Sequence, residues 1–221
     1  MIVAPLVLTF EVAAIATVIG TAIGVALGAF LGRPAFRGRN VLDVLVTSPM
    51  VLPPTVLGYY VLVVLGRRSP IGMAYEALTG STIVFSVVGA IVAAVLGVVP
   101  IVAKGSRAAL ESVDGTFVLA ARTLGASPTR AFFTVHVPLA MRGISASIAL
   151  AFARSLGDFG VTLMVAGDIP GETQTASLAI YDAIQAHRDH DALLMIGVLT
   201  AVAFVVLYVA ARLGHQDRFF G

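Results

Sequence analysis

From Leu6 to Leu31 the chain runs for 26 residues with one charged side chain, Glu11. As an α-helix this stretch is ~39 Å long, more than the ~30 Å of hydrocarbon in a bilayer, so it can cross with some tilt. A helix that is apolar all round has no stable place on the surface of a small soluble domain. Four more apolar runs follow, at 41–66, 82–103, 139–160 and 192–211. The expected fold class is therefore an all-α polytopic membrane protein, one domain over 1–221 with about five transmembrane helices. Composition agrees: 58% of the 221 residues are hydrophobic, 12% are charged and mean hydropathy is +0.99, well outside the soluble range. Met1-Ile2-Val3 lacks the basic start of a secretory signal, so the first run is expected to stay as a span. Cysteine is absent, which excludes disulfides and thiolate metal sites.

Within the first span Gly20, Gly24, Gly28 and Gly32 recur every fourth residue, on one face, where another helix can approach closely. The second run is irregular. Pro49, Pro53 and Pro54 each remove a backbone donor, so the helix must kink or open, and such a break survives at membrane depth only beside protein or a water-filled cavity. Thr47, Ser48 and Thr55 place hydroxyls beside it, and Gly58 follows. These residues are candidates for a translocation path or gate, against the alternative of a structural kink. Pro49 to Gly58 contains no basic residue, so a tight anion cage is not expected there.

Arg154 and Asp158 interrupt the fourth run. Four residues apart on a helix they share a face and can pair. Each would cost ~2.5–3.5 kcal/mol at mid-membrane, so the pair is expected to face the bundle or an aqueous path. An internal tie and a role in gating are equally good readings; direct substrate binding is a weaker one. Val161 to Gly167 is too short to span and either extends the fourth run or dips in beside it.

Residues 104–138 form the longest polar interruption. Gly115 is expected to split its first part. Ala120, Ala121 and their neighbours to Leu124 favour helix, and Gly125 suits the left-handed residue that ends one. Ser127 is placed to cap a second helix with Pro128 at its first position. Arg130 follows, Phe132 and Phe133 are candidate anchors to a partner or, equally, packing for the chain's own spans, and Pro138 punctuates the next apolar run. The whole reads as a folded docking loop.

Chemistry at the chain itself is not indicated. No GxxxxGK[ST] phosphate loop occurs, so any ATP is bound elsewhere. An intramembrane hydrolase, the rival from another class, would need a nucleophile with a base or a zinc pattern, and neither HExxH nor GxSxG is present. His187 and His190 beside Asp189 and Asp191 are read as a solvated loop rather than a metal site. His136 is expected to touch a partner.

Ala120, Ala121, Gly125, Val135, Val137 and Pro138 match the docking signature of permease subunits of ATP-binding-cassette importers; Leu119 stands where that signature has Glu. Val51 to Tyr59, Gly66-Arg67-Arg68, Ala151 to Gly160 and Ile169 to Thr175 together resemble molybdate-importer permeases, in the family's order and across nearly the whole chain. Tungstate and sulfate permeases are the next most similar. The resemblance implies a type I importer permease with a cytoplasmic coupling helix, working as a homodimer. It also implies two ATPase subunits that hold ATP and magnesium, and an extracytoplasmic oxyanion-binding protein. No cofactor is expected on this chain, and no nucleic acid.

Orientation follows from Lys and Arg. With the docking loop inside, Arg33, Arg37, Arg39, Lys104, Arg107, Arg122, Arg130, Arg142, Arg212 and Arg218 are cytoplasmic, against Arg67, Arg68 and Arg188 outside. This obeys the positive-inside tendency and predicts an external N-terminus and a cytoplasmic C-terminus.

Overall fold

Among the described residues four helices are long and apolar enough to cross a membrane: Val3–Leu31, Val87–Glu111, Pro128–Leu156 and Asp189–Arg212. The computed structural model describes residues 2–33 and 36–214, so Arg218 and the tail after 214 lie outside the described residues. Among the described residues all regular structure is helical. The helices are α1 (Val3–Leu31), α2 (Arg39–Val51), α3 (Pro54–Leu65), α4 (Pro70–Thr79), α5 (Val87–Glu111) and α6 (Gly115–Thr123). They continue with α7 (Pro128–Ala131), α8 (Val137–Leu156), α9 (Gly160–Ala166), α10 (Ala176–Gln185) and α11 (Asp189–Gly214).

The second apolar run is two helices. α2 and α3 meet at 114°, a fifth crossing if the bent pair is counted as one span. Leu52 and Pro53 leave the helical region between them, with ψ of 139° and 137°, because Pro53 and Pro54 restrict the residues before them to extended backbone.

α1 and α5 run parallel and pack along the small-residue face. A Cβ at Gly24 would lie 2.7 Å from the Val102 side chain, and one at Gly28 would lie 2.6 Å from the Ala103 carbonyl oxygen. Close contact is the main source of association between helices already in lipid. Gly32 caps α1 and is exposed. α8 packs antiparallel on α5, with Gly105 facing Ser147 and Gly143 facing Ala109.

α5 continues beyond 103 to Glu111. Its last turns carry an ion network rather than ending in a loop: Lys104 Nζ lies 2.9 Å from Asp43 on α2, Arg107 bonds Glu111 at 2.8 Å and Asp43 at 3.4 Å, and Arg39 reaches Glu111 at 3.4 Å. The helix of the fourth apolar run, third of the four long ones, starts at Pro128, not near 139, and passes through Pro138. A π-helical turn, Phe132–His136, precedes that proline and accommodates its missing N–H. At the opposite end Ile2, just before α1, and Leu6 of α1 pack with Ala179 and Ala183 of α10 and with Ala192 and Met195 of α11. The start of α1 and the end of α11 therefore lie at opposite ends of the bundle.

Candidate functional site

Two helix breaks meet inside the bundle. α8 ends at Leu156, Gly157 to Phe159 are irregular, and α9 then packs against α3 and α5. A Cβ at Gly160 would lie 2.6 Å from Pro54 Cβ, and one at Gly58 would lie 2.6 Å from Met164 Cβ. Val61, Val84, Ala93, Val161 and Val165 form the apolar cluster behind this junction. The proline break and the charged break, 100 residues apart in sequence, are thus one structural unit.

A cavity of ≈ 260 Å³ lies at the junction, lined on one side by Pro49, Met50, Leu52 and Pro54, and on the other by Arg154 and Asp158. Gly97 and Ile101 of α5 close it. Thr47 donates 2.6 Å to the Asp43 carbonyl and Ser48 donates 2.9 Å to the Leu45 carbonyl. Both hydroxyls are turned onto their own helix. Thr55 is exposed, and Pro53 sits at the corner between α2 and α3.

Asp158 is not on a helix with Arg154. It follows the end of α8, in the break, and its side chain is 9% exposed while that of Arg154 is 50% exposed. The Arg154 to Asp158 contact is long, 3.5 Å. Thr162 donates a 2.6 Å hydrogen bond to the other carboxylate oxygen, and the Ser177 hydroxyl donates 2.6 Å to the Asp158 backbone carbonyl. Neither partner was legible as such: Thr162 is four residues on, inside an apolar stretch, and Ser177 arrives from α10.

The docking loop forms a capped helical hairpin. Asp114 caps α6 by accepting from the Thr116 N–H at 2.9 Å, and that backbone bond holds its carboxyl below the usual carboxylate range. Gly125, with φ of +91°, closes α6 through paired 3.0 Å bonds, Gly125 N–H to the Arg122 carbonyl and Ala126 N–H to the Ala121 carbonyl. This is the double closure by which a left-handed residue satisfies the last carbonyls of a helix. Ser127 then caps α7, accepting from the Arg130 N–H at 3.3 Å, with Pro128 in the first turn.

The aromatic pair divides its work. Phe132 packs with Ala109, Leu110, Ala140 and Ile144, whereas Phe133 is exposed. His136 contacts the Leu110 carbonyl at 2.9 Å and so ties the hairpin to the end of α5. Ala120, Arg130 and Pro138 are exposed, Ala121 is half-buried, and Leu119 and Leu124 add exposed apolar surface on the same loop. Among the described residues no group of His, Cys, Asp and Glu could hold a metal ion.

Residues 24–217 match the model of the family described as binding-protein-dependent transport system inner membrane component. Among individual proteins, the chain is 38% identical over 212 residues to the molybdenum transport system permease protein ModB of Escherichia coli K12, covering 96% of this chain and 93% of that one. It is 36% identical to the ModB of Azotobacter vinelandii, covering 91% and 89%, and 30% identical to a probable sulfate transport system permease protein of Chlorokybus atmophyticus, covering 91% and 70%. A similar backbone occurs in the MetNI methionine ABC transporter in inward-facing form, with a TM-score of 0.73 at 16% identity over 96% of this chain and 94% of that one. It occurs also in a bacterial alginate ABC transporter bound to its periplasmic protein, at 0.75 and 14% over 97% and 78%.

Proposed function

The chain belongs to the binding-protein-dependent transport system inner membrane components, and on that premise we propose that it is the membrane subunit of an ATP-driven importer of a tetrahedral oxyanion, molybdate in the first place. The names of the relatives matched over nearly the whole chain support molybdate, with sulfate as the neighbouring specificity. The chain carries no ATPase site of its own. ATP and magnesium belong to two partner ATPases, and an extracytoplasmic protein delivers the anion.

The observation that carries this reading is the α6–α7 hairpin. It is fixed by its own caps and by the Schellman-type closure at Gly125, and it exposes Leu119, Leu124 and Phe133. A loop folded this tightly, with large apolar side chains outward, is suited to sit in a groove and pass on force. It continues without interruption into the helix that reaches Arg154, so a push at Ser127 is a push on the junction. The hairpin, and the C-terminus with it, faces the cytoplasm; the N-terminus is external.

A second copy of the chain completes the path. Val41, Val44, Leu45, Met50 and Val51 of α2 and Tyr59, Tyr60 and Val63 of α3 are exposed, which suits burial against a symmetry mate. The proline break, from Thr47 and Ser48 through Pro53, Pro54, Thr55 and Gly58, then lies near the dimer axis as the gate. The test is reconstitution with the co-purifying ATPase and binding protein. ATP hydrolysis should be stimulated by loaded binding protein, most by molybdate; no stimulation by molybdate, tungstate or sulfate overturns the reading.

A further inference from the structure

We propose that Arg154 is the residue that contacts the anion in the path, and that Asp158 is its stand-in counter-ion while the path is empty. The proposal rests on the importer reading above. It begins from what lines the cavity between the two helix breaks: Pro49, Met50, Leu52, Pro54, Leu57, Ala93, Gly97, Ile101 and Val161 supply no charge, leaving Arg154 and Asp158 as the charged pair. A dianion moving through such a wall loses hydration, and an apolar surface returns nothing for it. A guanidinium does, since its planar fork of donors matches two oxygens of a tetrahedral anion at once.

The geometry separates the two members of the pair. Asp158 is secured without Arg154, because Thr162 holds its carboxylate at 2.6 Å and Ser177 holds its backbone carbonyl at 2.6 Å. Arg154 is secured only loosely. Its nearest guanidinium nitrogen stands 3.5 Å from Asp158, and half of its side chain remains exposed. A structural ion pair would show the reverse, with both groups buried and closely bonded. Two cations at the end of α5 are engaged more closely: Lys104 holds Asp43 at 2.9 Å and Arg107 holds Glu111 at 2.8 Å.

The exchange requires no proton. Arg154 leaves Asp158, takes two oxygens of the anion, and returns to Asp158 when the anion moves on. The waiting carboxylate competes with the anion throughout, so the contact is brief and release to the cytoplasm is not blocked. The weakness of the site follows from one guanidinium per chain and from the absence of any basic residue between Pro49 and Gly58.

The experiment uses the complete complex in proteoliposomes, with labelled molybdate uptake and ATP hydrolysis measured together. Wild type must import one of molybdate, tungstate or sulfate; if it imports none, the importer reading falls and this proposal with it. Given import, Arg154→Gln should keep the stimulation of ATP hydrolysis by loaded binding protein while anions moved per ATP fall by about tenfold or more, tenfold being the lower end for losing a single charge-assisted hydrogen bond and the fork supplying two. Arg154→Lys should recover much of that ratio. Wild-type anions per ATP in Arg154→Gln overturns the assignment and leaves the importer reading intact. If Arg154→Gln fails to assemble, Arg154→Lys decides: import retained supports the cationic role, and parallel loss of uptake and hydrolysis shows a structural one.

Discussion

Thr162 donates a 2.6 Å hydrogen bond to the buried carboxylate of Asp158. This contact, rather than the 3.5 Å one to Arg154, ties the break after α8 to the first turn of α9. Thr162→Val keeps the shape of the side chain and removes the donor, leaving a buried carboxylate underbonded. The expected loss of stability is ~1.5–3 kcal/mol, the range for hydrogen bonds to charged groups. Arg154→Ala should cost less, because half of that side chain is exposed. Denaturation midpoints in detergent check the order; a larger loss from Arg154→Ala would reassign the anchor to the ion pair.

The α1–α5 seam gives a second prediction. A methyl group at Gly28 would stand 2.6 Å from the Ala103 carbonyl oxygen, backbone against backbone, with no flexible atom to yield. Gly28→Ala should therefore separate the two helices and destabilise the protein by ~1–3 kcal/mol, as overpacking does. Gly197 on α11 has nothing within 4 Å of the same position, so Gly197→Ala should be neutral or slightly stabilising through helix propensity. Thermal melting of both variants tests the contrast, and equal melting temperatures would mean that the seam is not under compression.

Legibility in the sequence followed the range of the interactions. The spans, the caps at Ser127 and the turn at Gly125 are set by residues within a few positions of each other, so hydrophobic runs and cap chemistry disclose them. The continuation of α5 to Glu111 was hidden, because Lys104 and Arg107 look like the end of a span until Asp43 arrives from α2 to partner them. The most consequential feature was also the least local. Pro54 touches Gly160, and that contact turns a kink in one run and a charge pair in another into a single cavity. The hydroxyls of Thr47 and Ser48 illustrate the converse limit: a polar side chain beside a break signals a path, yet both bond the carbonyls of their own helix.

Topology can be tested with single introduced cysteines, since the chain has none of its own. Ser69 is a poor position, because it is buried and accepts a 2.9 Å bond from the Gly72 N–H as the cap of α4. Leu78 on α4 and Leu124 at the hairpin turn are 87% and 89% exposed, so Leu78→Cys and Leu124→Cys should react readily. An impermeant maleimide applied to intact cells should label Leu78→Cys and spare Leu124→Cys until the membrane is opened and the ATPase seated on the hairpin is stripped away. Labelling of both from one side would refute the orientation.

Gly125 decides whether the docking hairpin holds its shape. Its φ of +91° is a conformation that a β-branched residue adopts only with strain, and no atom lies within 4 Å of the position its Cβ would occupy. The cost of Gly125→Val is therefore conformational and not a clash, and it cannot be relieved by repacking a neighbour. Relief has to come from the backbone: rotating residue 125 toward negative φ breaks the two closing bonds to Arg122 and Ala121 and swings Ser127 away from its capping place. Because α7 continues through the π-helical turn into α8, the membrane part stays anchored by Phe132 and by His136 on the Leu110 carbonyl. Only the exposed tip changes direction. Gly125→Val should thus leave the chain inserted, abundant and self-associated, while ATPase co-purification and transport are lost together. Gly125→Asn, a residue that tolerates left-handed backbone, should restore both to near the wild-type level. A Gly125→Val complex that retains its ATPase and imports at the wild-type rate would show that force enters the bundle by another route.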